Sequence, residues 1–106
     1  MQLESSLSTV QEMIVLGEAV QRLKKNKDFK KVVLEAYFSS EPQRLTMLLA
    51  APNIRNDMRT QVHESLQAIA EFHSFLETIL TESVRAKDMV GEIEDVLVEA
   101  RTAAGE

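Results

Sequence analysis

The sequence predicts an all-α protein: an elongated helical bundle in which two long antiparallel helices, N- and C-terminal, flank two short ones. Three observations carry this expectation. Only three glycines and two prolines interrupt 106 residues, strand-like alternation is nowhere sustained, and apolar residues recur at intervals of three and four over long stretches. With 44% hydrophobic and 27% charged residues, the composition is that of an ordered chain rather than a disordered one. At this length a single small domain, residues 1–106, with one modest core is expected.

The first helix is predicted from about Leu3 to Lys25. Leu3, Leu7, Val10 and Ile14 lead into Met13, Leu16, Val20 and Leu23, and the two sets differ in phase. The buried stripe therefore slides around the helix as its neighbours change. Gly17 lies inside it at a cost of about 1 kcal/mol relative to alanine, which points to another backbone approaching closely there. Asn26 is placed to end this helix or to cap the next, and Asp28 in the new first turn faces the positive end of the helix dipole.

On the second helix Phe29, Val32, Val33, Ala36 and Tyr37 fall at i, i+3, i+4, i+7 and i+8 and draw one apolar face. Leu34 and Phe38 form their own i,i+4 pair, so this helix is expected to be covered on two sides. Ser40 and Gln43 have the spacing of a capping box, and Pro42 is tolerated in a first turn, so a third helix is predicted to start there. Leu45, Leu48 and Leu49 supply its buried face before Ala51 and Pro52 stop it.

The fourth helix is predicted to begin between Asn53 and Asp57 and to run to the tail, roughly 65 Å at 1.5 Å per residue. With Val62 at heptad position a, Ile69, Leu76, Ser83, Val90 and Leu97 follow at a. Met58, Ser65, Phe72, Ile79, Ala86, Ile93 and Ala100 fall at d. Leu66 and Leu80 widen this stripe at e in the first half, Met89 and Val96 at g in the second. Helices two and three are therefore expected to cover the N-terminal half and helix one to return along the C-terminal half. Burying a leucine-sized side chain contributes about 1.5–3 kcal/mol, whereas ordering each residue costs roughly 1–2 kcal/mol of backbone entropy. So thin a monomer is marginal, and a homo-oligomer is expected, with Leu34, Phe38, Phe75, Met89, Val90 and Val96 as its candidate surface.

No residue pattern points to catalysis. Cysteine is absent, which removes disulfides, zinc-thiolate sites and thiol nucleophiles. His63 and His73 stand nearly three turns apart on one helix, with neither an HExxH nor an ExxH pairing to bind metal. No GxSxG or phosphate-cradling glycine loop occurs. The seventeen carboxylates lie on helices and read as solvated faces. No enzyme, cofactor or metal is expected. The first residues lack a signal-peptide pattern and no stretch reaches the roughly 20 apolar residues of a membrane span, so a cytoplasmic protein without membrane contact is expected.

Charge is distributed unevenly. The net charge of -5 conceals a basic run, residues 22–31, that holds Arg22, Lys24, Lys25, Lys27, Lys30 and Lys31 against one acid, Asp28. The opposite bias marks Asp88 to Glu106, with six carboxylates and a single basic residue, Arg101. Lys24 and Lys25 suit a helix C-terminus, whereas Lys27 sits against the dipole. The basic run is a candidate patch for phosphate, although no stacking aromatics or recognition-helix pattern accompany it. Most of this charge has a local structural explanation, and the sharper expectation is that the run meets the acidic end of a neighbouring copy.

The stretch LGEAVQRLKKNKDFKKVVLEAYFSSEPQRLTMLLA, residues 16–50, resembles small helical proteins encoded by tailed bacteriophages. The likeness rests on Gly17-Glu18-Ala19, Arg22-Leu23, Asn26, Asp28-Phe29, Tyr37 and Arg44-Leu45, followed by a long helix. It covers about a third of the chain, and its motifs are caps and core residues. Most such proteins have no assigned role, so the resemblance implies a viral source and an assembly or host-interaction context, and carries over no active residues. The leading expectation is thus a non-enzymatic, oligomeric interaction protein acting in virion assembly or as a virion component, with a viral or host protein partner. The alternatives are a DNA-associated packaging or regulatory subunit using the basic cluster, and a phage inhibitor that binds a host protein.

Overall fold

The computed structural model describes residues 2–105, with side chains from Leu7 to Gly105. Leu3 of the expected helix-one stripe and Glu106 of the acidic end lie outside these described side chains. The fold is all-α, and the described residues include no strand. Its segments are α1 (Gln2–Lys25), α2 (Lys27–Phe29), a π-helical segment (Lys30–Ser40), α3 (Glu41–Leu49) and α4 (Asn56–Gly105). The chain divides into two compact units, Met1–Gln21 with Thr78–Glu106, and Arg22–Glu77.

In the first unit α1 and α4 run antiparallel. Gly17 meets Ser83, while the earlier residues Thr9, Val10 and Met13 face the later Ala86 and Met89 across a shallow concavity. Val10, Val20, Ile79 and Ala86 are buried here, together with Ser83, the one buried polar side chain among the described residues. The expected reason for Gly17 holds. A β-carbon at this position would fall within the van der Waals shell of the Ser83 hydroxyl and β-carbon, with the Ser83 Cα at 3.7 Å. Glycine at 17 and a small residue at 83 therefore set how closely the helices approach, and the glycine's helix-propensity cost is the condition of that contact.

The second unit is built on Leu45, Val62 and Ile69, against which Phe38, Leu49 and Leu66 pack. Leu76 is buried as well. Asn26 serves both predicted purposes. Its backbone N–H donates to the Arg22 and Leu23 carbonyls at the end of α1, and its side-chain Oδ1 accepts from the Asp28 and Phe29 amides at 3.0 Å each. The chain thus passes from α1 into α2 with its orphaned first-turn amides satisfied, and it keeps its direction along α4: Lys24 lies at Glu77, Phe38 at Phe72 and Leu45 in the cluster of Val62 and Ile69.

The two short helices are present but joined end to end, because the boundary expected at Ser40 is a change of winding rather than a break. Ser40 has helical dihedrals and makes no side-chain capping bond, so the capping box does not form. Instead the Glu41 amide donates to the Ala36 carbonyl, five residues back. Pro42 has no N–H for the Phe38 carbonyl and its ring crowds that carbonyl in an α-helix. The wider π turn upstream accommodates it.

This winding also corrects the expected face of helix two. Over Lys30–Ser40 the inward residues are not Phe29, Val32, Val33, Ala36 and Tyr37 as a set, since Val32 and Ala36 are exposed. Phe29, Val33, Leu34 and Phe38 are the half-buried ones, leading on to Pro42, Leu45 and Leu49. Steps of four and five replace the three and four of an α-helix because each π turn takes up more residues.

In α4 the a column is buried at Val62, Ile69, Leu76 and Ser83, whereas of the expected d residues only Ile79 and Ala86 are buried and Met58, Ser65, Phe72 and Ala100 are exposed. Val90 and Ile93 are half-buried, and every residue from Glu94 to Gly105 is exposed. α4 begins after Pro52 with Asp57 in its first turn, where a carboxylate favours the helix dipole.

Two outcomes test these contacts. Gly17→Ala should lower stability by about 1–3 kcal/mol through overpacking, read as a fall in the thermal or urea midpoint. Ser83→Gly in that background should restore much of it, and Ser83→Ala should not, since the clashing β-carbon remains. Asn26→Ala should cost about 1 kcal/mol in the same assay, with Asn26→Asp nearly neutral.

Candidate functional site

The candidate surface residues fall into different environments. Phe38 does not form a free second surface: it packs on the Leu45–Val62–Ile69 cluster, because the π winding turns it inward. Its ring also lies 5.4 Å from Phe72 and 5.0 Å, edge-on, from His73. Leu34 and Val90 are half-buried. Phe75, Met89 and Val96 are exposed, at 60%, 45% and 59%.

Two aromatic residues extend the exposed set in the second unit. Tyr37 and Phe72 meet edge to face with centroids 6.2 Å apart, and both are more than a third exposed. Their pairing is of the kind that contributes about 0.5–1.5 kcal/mol beyond area burial. Phe72, read from its heptad position as core, is thus partly a surface residue. Only the packing of the π segment beside it decides that. Val84 and Val98, both exposed, sit at heptad position b. Branched apolar residues at a position that is ordinarily polar were the available sequence signal for them.

Arg22, Lys24 and Lys25 close α1, where cations complement the helix dipole. Lys24 Nζ lies 3.4 Å from Glu77 Oε1, so this lysine clamps the end of α1 to α4 within the second unit. Arg22, Lys25, Lys27, Lys30 and Lys31 are exposed, and among the described residues none of them has a carboxylate at ion-pairing distance. The remaining ion pairs, Arg44–Glu41, Arg55–Asp57 and Arg85–Glu82, are local and exposed, of a type that contributes about 0–1 kcal/mol.

The charges sort with the units. Residues 22–77 carry nine basic and seven acidic side chains, net +2, and residues 1–21 with 78–106 carry three and ten, net -7. An open concavity of about 590 Å³ at the α3–α4 turn is lined by Leu48, Ala51, Pro52, Ile54 and Met58, with Asn53 and Arg55 at its rim of polar groups. Arg55 is engaged with Asp57 at 3.0 Å. Among the described residues no three histidine or carboxylate side chains converge as metal ligands, and no helix is long and apolar enough to cross a membrane.

The reassignment of Phe38 has a measurable consequence. Phe38→Ala should lower stability by about 3 kcal/mol or more, whereas Phe75→Ser, at protein concentrations dilute enough for the chain to be monomeric, should change stability by about 0.5 kcal/mol or less. Urea unfolding at several protein concentrations distinguishes the two. Comparison with protein-family models, curated proteins and solved structures gives no match.

Proposed function

We propose that this chain is a non-enzymatic, oligomeric protein-interaction protein, and that it serves a tailed bacteriophage in virion assembly or as a virion component. The observation that carries the oligomeric reading is the amount of surface left uncovered. The chain exposes 8126 Å², whereas a folded monomer of 12.0 kDa is expected to expose about 6,000 Å². An obligate homodimer interface buries roughly 2,000–5,000 Å², shared between two copies, so the excess of about 2,100 Å² is of the size one copy contributes. Fifteen large apolar side chains are exposed among the described residues, against eight buried in the core, and none of those eight falls below 2% exposure. Burial at about 25 cal/mol per Å² makes covering such surface a major source of stability. The phage setting rests on the resemblance over residues 16–50 alone.

One observation favours the DNA-associated alternative. The five unpaired cations of residues 22–31 are free to meet phosphate, and such contacts make affinity fall steeply with salt. Loss of duplex-DNA binding even at low salt removes that reading. For the leading one, sedimentation equilibrium at micromolar concentration should give a multiple of 12.0 kDa, and tagged protein expressed during infection should recover viral proteins. A monomer with no recovered partner overturns it, and recovery of a host protein from uninfected lysate favours inhibition of that host protein instead.

A further inference from the structure

Resting on the oligomeric reading, we infer that copies of this chain associate head to tail, the basic run of residues 22–31 in one copy docking on the outward face of α4 in the next. Each surface lies within one compact unit, residues 22–31 in that of Arg22–Glu77 and residues 84–98 in the other. On α4 Val84, Asp88, Gly91, Asp95 and Val98 recur at i, i+4, i+7, i+11 and i+14, which places them on one side of the helix. All five are exposed, whereas Ser83, Ala86, Val90 and Ile93 on the other side are buried or half-buried. Val84 and Val98 each stand 58% exposed, about 21 Å apart along the helix, with Gly91 midway between them. A β-carbon at Gly91 would meet nothing within 4 Å, in contrast to Gly17, whose backbone is met by Ser83. Glycine is the poorest helix former after proline, and no packing within the chain accounts for it here. The bare backbone leaves a notch between two valines, open to a side chain from outside.

Charge identifies the occupant. Residues 86–100 hold five carboxylates, Asp88, Glu92, Glu94, Asp95 and Glu99, against one cation, Lys87. Among the described residues none of these five carboxylates is in an ion pair. Two such faces laid together would set like charges side by side, which disfavours that arrangement. Residues 22–31 of a second copy are complementary instead. Arg22, Lys25, Lys27, Lys30 and Lys31 are exposed without a carboxylate at ion-pairing distance among the described residues, and the neighbouring Leu23 and Val32 are 44% and 62% exposed. Lysine stems cover apolar surface while their ammonium groups stay in water. Such a segment lays its stems on Val84 and Val98 and its charges beside Asp88 and Asp95. Because the two surfaces differ, the contact is heterologous: a copy that offers its basic run still presents an acidic face to the next, and repetition gives a ring or a filament.

Charge reversal tests the pairing, with sedimentation and helical circular dichroism read at micromolar concentration and low salt. Lys30→Glu with Lys31→Glu inverts the basic run, and Asp88→Lys with Asp95→Lys inverts the α4 face. Each of these variants should self-associate about tenfold or more weakly than the unmodified chain at unchanged helicity, and an equimolar mixture of the two should assemble again. Raised salt should dissociate the unmodified assembly, since the charges are screened. Gly91→Leu supplies a second measurement, which decides alone if a charge variant loses its helicity. It should keep or raise the thermal midpoint of the dilute chain, because leucine favours helix and the space is open, and still weaken assembly about tenfold or more. Recovery only when both reversals share one chain shows a contact within the chain and overturns the inference. A mixture that stays dissociated with its helices intact overturns it too. Undiminished assembly of either charge variant or of Gly91→Leu places the interface elsewhere, with the same result for the inference and none for the oligomeric reading. An unmodified chain that sediments as a monomer overturns both readings.

Discussion

The column Val62, Ile69, Leu76 and Ser83 on α4 is the feature on which the rest of the structure depends. These four side chains, one per heptad, are buried to 6% exposure or less. In the second unit Val62 and Ile69 receive Leu45, Phe38 and Leu49. In the first, Ser83 receives the bare backbone of Gly17. A long helix with one buried column is a scaffold of single-layer depth, because a residue is covered only where another helix lies over that column. The small core follows directly from this, and so does the large apolar surface.

The two ends of the column are closed by opposite means. Around Ile69 large side chains fill the space, and Phe38 reaches the cluster because π winding upstream of Pro42 rotates it inward. At Ser83 the space is removed instead, by pairing a hydroxymethyl side chain with no side chain at all. Filling with bulk tolerates some repacking, whereas close approach of two backbones does not, since no rotamer change relieves a β-carbon clash. The first unit is accordingly the more sharply specified of the two at its contact point.

Electrostatics adds direction rather than stability. The ion pairs within each unit are exposed and weak, and Lys24–Glu77 at 3.4 Å orients the end of α1 more than it strengthens it. Each unit carries its own charge bias, and Arg22, Lys25, Lys27, Lys30 and Lys31 have no ion-pair partner among the described residues. A charge pattern of this kind governs which way a partner docks and how fast, while apolar area governs how tightly.

Helix content, the a column of α4 from Val62 to Ser83, the helix boundary at Asn26 and the tight approach at Gly17 were legible in the sequence, whereas the d residues Met58 and Phe72 and the a residue Leu97 are exposed. Each follows from local rules: the scarcity of breakers, the 3.6-residue period, the capping chemistry of an asparagine and the cost of an unforced glycine. The surface roles of Phe75, Met89 and Val96 were legible as apolar residues in excess of what one seam needs. The inward rotation of Phe38, the exposure of Val32 and the missing break at Ser40 were not. All three depend on the winding of Lys30–Ser40, and winding is chosen by how a proline-containing helix best packs on its neighbour, at a cost in local geometry that a spacing rule built on α-helical turns does not represent. Local propensity therefore determined that these residues are helical, and only tertiary packing decided which of their faces is inside.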